Sequence, residues 1–223
     1  MSQDPNRQAS NHSDRITLYY APQTRARGAR ILLEELGAPY DLHVLNMKAG
    51  EQRQPAYLAI NPLGKVPAIG HRGQIVTEQV AVFIYLADLF PQAGLTPGLD
   101  DPMRAPYLRW IAYYGSSFEP ALIDRALKRE AAPVTLSPYG DCDAVLDALE
   151  AQLAKGPYLL GERMTAADVL WGTALSWTIA FGLVPKKDVF VGYAERMTAR
   201  PAFQRVTAGD VEMSARHAAA VAS

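Results

Sequence analysis

One segment, residues 61–79, constrains the fold of this chain more than any other. It contains the loop sequence NPLGK at 61–65, the apolar run VPAI at 66–69 and, further on, TEQ at 77–79. The pattern predicts a tight loop that brings a proline to the start of a short strand, then a turn, a second strand and a helix. Unpaired backbone groups beside a helix N-terminus would suit a small, peptide-like, anionic ligand.

The residues before this segment predict a strand, a helix and a second strand. Ile16–Tyr20 is rich in β-branched and aromatic residues, which favour strands. Arg25–Leu36 has apolar residues at i, i+3, i+4 and i+7, the spacing of an amphipathic helix, and Gly37 follows where a helix ends. Tyr40–Leu45 alternates enough to be the second strand. The spacing predicts a parallel β-α-β unit with a right-handed crossover.

The remainder of this first region predicts two more strands and a helix. Val66–Ile69 reads as the third strand, Gly70–Gly73 as a turn and Gln74–Thr77 as an antiparallel fourth strand. Thr77 is the expected N-cap of a helix that runs to about Phe90, with Glu78 in its first turn.

A domain boundary is expected at residues 91–102, which contain three prolines and two glycines. We therefore predict a disordered tail at 1–14, an α/β domain at 15–91, a linker at 92–102 and an α-helical domain at 103–223. The helices expected in the last domain are 103–119, 138–153, 165–179, 190–199 and 202–208, with a frayed tail beyond residue 214.

Composition excludes several classes of protein. A formal net charge of −1 argues against a nucleic-acid partner, and no apolar run is long enough to span a membrane. The polar N-terminus is not expected to be a secretory signal. Cys142 is the only cysteine, so disulfides and a cysteine zinc cluster are excluded, and the four histidines show no metal-ligand spacing.

The order of elements and three local motifs resemble a soluble, bacterial-type glutathione S-transferase. The motifs are KVP at 65–67, TEQ at 77–79 and the N-capping box TAAD at 165–168, and the resemblance covers roughly residues 16–206. It implies a thioredoxin-like N-terminal domain (βαβ-ββα) followed by a helical bundle. It also implies a cytoplasmic, homodimeric detoxification enzyme that needs no metal and no cofactor beyond glutathione as co-substrate.

The resemblance assigns a glutathione site to the segment at 61–79. The Val66–Pro67 bond is expected to be cis, with the Val66 backbone paired to the cysteinyl part of glutathione like an added strand. Glu78 and Gln79 correspond to a Glu-Ser pair that holds the γ-glutamyl end, so Gln79 departs from the usual serine. Lys65 and Gln52 are the candidates for the glycyl carboxylate.

The group that activates the glutathione thiol is left open among three residues. Lowering a thiol pKa by two units from about 8.5 requires about 2.7 kcal/mol, which one charged hydrogen bond of about 1.5–3 kcal/mol can supply. Aligning the loop with a serine-type pattern selects Thr24, while counting back from Gly37 as in a cysteine-type pattern selects Arg25. Tyr20, at the end of the strand, is the third candidate, and Thr24 is favoured.

The resemblance also places the hydrophobic electrophile against the first helix of the second domain. Arg104, Tyr107 and Trp110 are the candidate pocket residues, although an aromatic stripe at helical spacing is often core. The loop after the first strand has no cysteine, so a dithiol or mixed-disulfide mechanism is disfavoured. The alternatives are a glutathione-dependent peroxidase, disulfide reductase or isomerase and, in another class, a non-catalytic carrier of glutathione or a hydrophobic ligand.

Overall fold

The computed structural model describes residues 15–130 and 132–222, so the tail predicted at 1–14 lies outside the described residues. The chain divides into two compact units. One comprises Met1–Val82 together with Arg205–Ser223, and the other comprises Phe83–Gln204. Among the described residues, 205–222 thus belong to the same unit as 15–82.

The first unit starts with the predicted parallel β-α-β arrangement. Strand β1 (Ile16–Tyr20) buries alternate residues, helix α1 spans Ala26–Leu36, and β2 (Tyr40–Val44) pairs with β1 in parallel. Helix α1 ends at Gly37, whose φ of 62° is the left-handed conformation that glycine adopts without strain. The β-α-β prediction is confirmed.

Two antiparallel strands complete a four-stranded sheet of order β2-β1-β3-β4. They are β3 (Ala68–His71) and β4 (Gln74–Val76), after a short helix α2 (Pro55–Leu58). The third strand begins at residue 68, not at the predicted 66, because Pro67 has no N–H to donate to a ladder. Gly70, predicted in the turn, belongs to β3, and Arg72 and Gly73, with φ of 50° and 73°, make the turn.

Helix α3 (Gln79–Leu89) begins two residues later than its expected N-cap. Thr77 is therefore not the residue before the helix, and Glu78 is not in its first turn. Glu78 instead precedes the helix with a φ of 63°, and its carbonyl accepts the Val82 N–H at 2.9 Å. The left-handed turn at Glu78 displaces the start of the helix from the position that residue preference alone indicates.

The second unit is helical. It contains α4 (Arg104–Tyr113), a π-helical turn (Tyr114–Phe118), α5 (Glu119–Ala126), α6 (Cys142–Leu153), α7 (Ala166–Ala180) and α8 (Asp188–Thr198). Its core is aromatic: Trp171 is fully buried and donates from Nε1 to the Trp110 carbonyl at 2.9 Å. Four aromatic rings surround Trp171: Trp110, Tyr113, Tyr114 and Phe118.

The N-capping box predicted at 165–168 is confirmed. The Thr165 N–H and hydroxyl both donate to Asp168 Oδ2, at 2.8 and 3.0 Å, in front of α7. Asp168 is fully buried and also accepts from the Leu159 N–H and the Tyr193 hydroxyl, at 2.8 and 2.9 Å. The two residues therefore anchor the loop before α7 to its first turn.

Several predicted helix limits are wrong, and among the smaller differences α8 begins at Asp188, not at residue 190. The helical run that begins at Arg104 passes the predicted end at residue 119 and continues to Ala126. Helix α6 starts at Cys142, not at residue 138, because the Asp141 carboxylate caps it by accepting the Asp143 and Ala144 N–H groups, both at 2.9 Å. The last helix, α9, spans Pro201–Ala222 because its alanine-rich end favours helix. No described helix is long and apolar enough to cross a membrane.

Candidate functional site

The Val66–Pro67 peptide bond is cis, as predicted. The loop before it is held at the Lys65 carbonyl, which accepts the Tyr57 hydroxyl at 2.6 Å and Asn61 Nδ2 at 2.9 Å. Among the residues that the structure describes, the N–H and carbonyl of Val66 make no backbone hydrogen bond. This residue therefore offers one donor and one acceptor just before β3.

Gly64 packs the same loop closely against the turn that carries Gln52. Its φ is 60°, and a Cβ there would lie 2.6 Å from the Gln52 carbonyl oxygen and 2.9 Å from Arg53 Nη1. Arg53 Nη1 in turn donates to the Leu63 carbonyl at 3.1 Å. Gln52 Oε1 is buried and has no hydrogen-bond partner in the described part of the chain. Gln52 is thus beside the loop, and Lys65 is exposed on it.

The start of helix α3 is joined to the loop after β1. Gln79 Nε2 donates to the Arg25 carbonyl at 3.2 Å, while Gln79 Oε1 is buried without a partner among the described residues. The Glu78 side chain is exposed, and its backbone lies in the left-handed region. Such a conformation costs about 1–2 kcal/mol outside glycine, so the surrounding structure must impose it.

Thr24 lies in the turn that leads into α1. Its hydroxyl donates to the Ala21 carbonyl at 2.7 Å and accepts the Ala26 N–H at 3.2 Å. Arg25 occupies the N-cap position of α1 and is exposed. The two candidates thus have different local structures. The Thr24 side chain makes hydrogen bonds within the turn, whereas Arg25 lies at the N-terminus of the helix.

Tyr20, the third candidate, is fully buried, and its hydroxyl donates to the Asp210 carboxylate. Burial, followed by the negative charge of Asp210, raises the pKa of Tyr20 far above its ordinary value. The phenol is therefore a neutral donor that is already engaged. Sequence reasoning missed Asp210, because no local pattern connects it with a residue 190 positions earlier.

The three candidate pocket residues lie in the second unit. The Arg104 guanidinium holds both carboxylate oxygens of Asp88, each at 2.7 Å, and this ion pair lowers the pKa of Asp88. Tyr107 is fully buried, and burial raises its pKa. Trp110 is buried, with the Arg109 guanidinium 4.3 Å from its ring centroid. Their role in binding an electrophile stays a prediction.

Cys142 lies in the first turn of α6 and is half-buried, and burial raises the pKa of its thiol. A raised thiol pKa disfavours the reactive thiolate. The partial burial and the raised thiol pKa therefore favour a role for Cys142 in packing and not in catalysis.

The fold and the loop with the cis proline define a class: a thioredoxin-like α/β domain followed by an α-helical domain. The family described as "Glutathione S-transferase, N-terminal domain" matches residues 14–88, and "Glutathione S-transferase, C-terminal domain" matches residues 139–209. The first match covers nearly all of the predicted α/β domain, and the second lies within the predicted α-helical domain.

Relatives and solved structures agree with this class. Glutathione S-transferase F13 of Arabidopsis thaliana is 30% identical over 207 residues, 85% of this chain and 94% of that protein. Disulfide-bond oxidoreductase YfcG of Escherichia coli is 28% identical over 84% of this chain and 92% of its own length. A glutathione transferase homologue from Sulfitobacter, solved with bound glutathione, has 30% identity and a TM-score of 0.72 over 87% of this chain and 98% of its own. The chain belongs to the glutathione S-transferase family.

Proposed function

We propose that this protein conjugates the thiolate of glutathione to a small hydrophobic electrophile. The observation that carries the proposal is the Val66–Pro67 edge, whose Val66 backbone groups are unpaired among the described residues and which continues into β3. Glutathione transferase activity is the function that the named relatives and solved neighbours support. The remaining roles below are our assignments for this chain.

The tripeptide would be bound by backbone and side-chain groups of the first unit. Its cysteinyl residue would pair with the N–H and carbonyl of Val66, as in addition of a strand to a sheet edge. The α-carboxylate of the γ-glutamyl end would meet the free N–H groups at the start of α3. The Glu78 carboxylate and the buried Gln79 Oε1 are acceptors suited to the α-ammonium group.

The glycyl end would be held by Lys65 and Gln52. Lys65 provides a positive charge on the loop that leads to Pro67, and the Gln52 amide nitrogen provides a donor. The buried Gln52 Oε1 would accept a backbone N–H of the ligand, which would satisfy an atom that has no partner in the described chain.

Thr24 remains our assignment for the donor to the thiolate. Its hydroxyl is in the loop before α1 and can rotate from the Ala21 carbonyl, at 2.7 Å, to a sulfur anion, which is the stronger acceptor. Tyr20 is the weaker candidate because its hydroxyl is buried and bound to Asp210. The thiolate would then attack an electrophile held at Arg104, Tyr107 and Trp110, with catalysis arising from thiolate stabilisation and proximity.

We further propose that the enzyme acts in the cytoplasm as a homodimer in detoxification, as the family resemblance implies. Disulfide reduction is the second candidate, because a relative of nearly equal length is a disulfide-bond oxidoreductase. The only cysteine, Cys142, lies in α6 of the second unit, so such a reaction would use two glutathione molecules and no protein thiol.

The test is glutathione binding followed by a comparison of substrates. The purified protein should be retained on immobilised glutathione and should consume glutathione fastest with an activated aryl halide. Faster consumption with a mixed disulfide or a hydroperoxide would favour the oxidoreductase alternatives. Binding of glutathione without turnover of any substrate would indicate the carrier, and absence of binding would exclude all glutathione-dependent functions.

A further inference from the structure

The carboxylate of Asp210 lies beneath the loop that follows β1. Asp210 is on α9, in the same unit as β1, and is only 1% exposed. Its Oδ1 accepts the Tyr20 hydroxyl, its Oδ2 accepts the Gln23 backbone N–H at 2.9 Å, and Arg30 Nη1 lies 4.0 Å from Oδ1. A buried carboxylate is stable as an anion only with such partners.

The bond to Gln23 acts on the backbone. Gln23 has a φ of 57°, the left-handed conformation that is unfavourable for residues other than glycine. Its N–H is fixed by Asp210, and the next residue, Thr24, bridges the Ala21 carbonyl and the Ala26 N–H. The carboxylate thus accepts a backbone hydrogen bond from the residue that precedes Thr24 and Arg25.

Asp210 also interacts with the strand before this loop and with the helix after it. Tyr20 ends β1, and Arg30, whose guanidinium carbon is 5.4 Å from the Tyr20 ring centroid, is on α1. One side chain from near the other end of the chain therefore spans strand, loop and helix. Arg30 Nη1 makes no hydrogen bond in the described structure, so its interaction with the carboxylate is electrostatic.

We propose that Asp210 is a positioning residue for the thiol-activating loop at 21–25. It does not contact glutathione; it holds the left-handed turn at Gln23 so that the donor at position 24 or 25 faces the sulfur. The inference rests on the proposed function, because the loop has this role only if the protein activates glutathione.

The experiment compares Asp210→Asn with Arg205→Ala. The amide keeps the size of the carboxylate but removes its negative charge and one of its two acceptor oxygens, so the Tyr20 hydroxyl and the Gln23 N–H can no longer each donate to an oxygen of their own. Arg205, also on α9, forms an exposed ion pair with Glu34 of α1 at 3.2 Å, and its replacement leaves the loop untouched. The control therefore weakens the same helix without changing the carboxylate.

Two quantities are measured: hydrogen exchange of amides 21–26, and the pKa of the bound glutathione thiol from the ultraviolet absorbance of the thiolate. D210N should accelerate loop exchange and raise the thiol pKa by on the order of one unit, which lowers kcat about tenfold at a pH below the pKa. The KM for glutathione should change much less than kcat. R205A should have the same loop exchange rates, thiol pKa, kcat and KM as the unsubstituted protein.

The result that overturns the inference is a D210N protein that melts at a lower temperature but keeps the thiol pKa and the loop exchange rates of the unsubstituted protein. Faster exchange with an unchanged thiol pKa overturns it too, since Asp210 would then be only structural. If D210N does not fold, Asp210→Glu is measured in its place: it keeps the negative charge but displaces the carboxylate, so it should also accelerate loop exchange and raise the thiol pKa, and an unchanged thiol pKa overturns the inference. Failure of the unsubstituted protein to bind glutathione would instead overturn the proposed function, and the inference with it.

Discussion

The side-chain amide of Gln79 donates a hydrogen bond to the backbone carbonyl of Arg25 at 3.2 Å. The start of helix α3, where the γ-glutamyl end of glutathione is expected, is thus joined directly to the loop that is expected to activate the thiol. Because the family usually has serine at this position, the longer glutamine provides a connection that a serine hydroxyl would not be long enough to make.

Gln79→Ala should therefore weaken the binding of glutathione. It removes the donor to Arg25 and a buried acceptor, so we expect the KM for glutathione to rise about tenfold, as the loss of one to two hydrogen bonds implies. Gln79→Ser should restore much of the binding but not the connection to the loop. Steady-state kinetics with glutathione as the varied substrate measure the KM of both variants. An unchanged KM in Q79A would show that Gln79 does not contribute to glutathione binding.

Thr24→Ala tests the catalytic assignment. Without the hydroxyl, the pKa of the bound thiol should rise by about one to two units, and kcat at neutral pH should fall by about ten- to a hundredfold. The matched control is Thr198→Ala, because Thr198 Oγ1 donates only to Glu195 of its own helix, at 3.2 Å. Unchanged rates in T24A with every substrate would show that Thr24 is not the donor and would favour Arg25.

Gly64→Ala should destabilise the loop before Pro67. The backbone strain at φ 60° costs about 1–2 kcal/mol, and the new Cβ would lie 2.6 Å from the Gln52 carbonyl oxygen. We expect a loss of at least about 2 kcal/mol in the free energy of unfolding, measured in urea, together with a higher KM for glutathione. Gly50→Ala is the control, since Gly50 has a φ of 75° but nothing within 4 Å of a Cβ. Equal effects of the two changes would show that the close packing at Gly64 is unimportant.

Asp168→Ala should reduce stability without altering chemistry. It leaves buried donors at Leu159, Thr165 and Tyr193 without a partner, and each such group costs about 1–3 kcal/mol. Thermal and urea unfolding should show a loss of several kcal/mol, with kcat per folded molecule retained. Asp188→Ala, at the exposed start of α8, should cost about 1 kcal/mol or less. A D168A protein as stable as D188A would contradict the role of the capping box.

The Asp88–Arg104 pair gives a pH-dependent prediction. The guanidinium lowers the pKa of Asp88 below its ordinary value of 3.8, so the stabilisation is present above that value and is lost as the pH falls through the lower folded pKa. The pair is partly exposed, and its contribution is about 1 kcal/mol or less. Asp88→Asn should therefore lower the melting temperature at pH 7 and have no effect below the folded pKa. A difference that persists in acid would mean that the hydrogen bonds, not the charge, stabilise this region.

Local sequence was sufficient for much of the fold. Strand β1 has the predicted limits, the glycine at 37 ends α1, and the capping box at 165–168 forms as its spacing requires. Each of these features depends on neighbouring residues only, which is why periodicity and cap preferences reveal them. The cis bond at Val66–Pro67 was predicted from the family resemblance, since local preference alone favours trans.

Unusual backbone conformations and long-range contacts could not be predicted in the same way. Thr77 was the better N-cap by residue preference, yet the left-handed turn at Glu78 moved the start of α3. The link between Asp210 and Tyr20 joins residues 190 positions apart, and it removes the Tyr20 hydroxyl from the surface of the loop. The first difference is a local backbone conformation that residue preference does not favour, and the second joins residues too far apart for any single window of sequence.

The measurement that tests the central claim most directly is a crystal structure of the protein with glutathione bound. We predict that the cysteinyl backbone pairs with the N–H and carbonyl of Val66, that the γ-glutamyl end lies at Glu78 and Gln79, and that the sulfur is within hydrogen-bond distance of Thr24 Oγ1. Glutathione bound elsewhere, or a sulfur directed away from the loop at 21–25, would contradict the account.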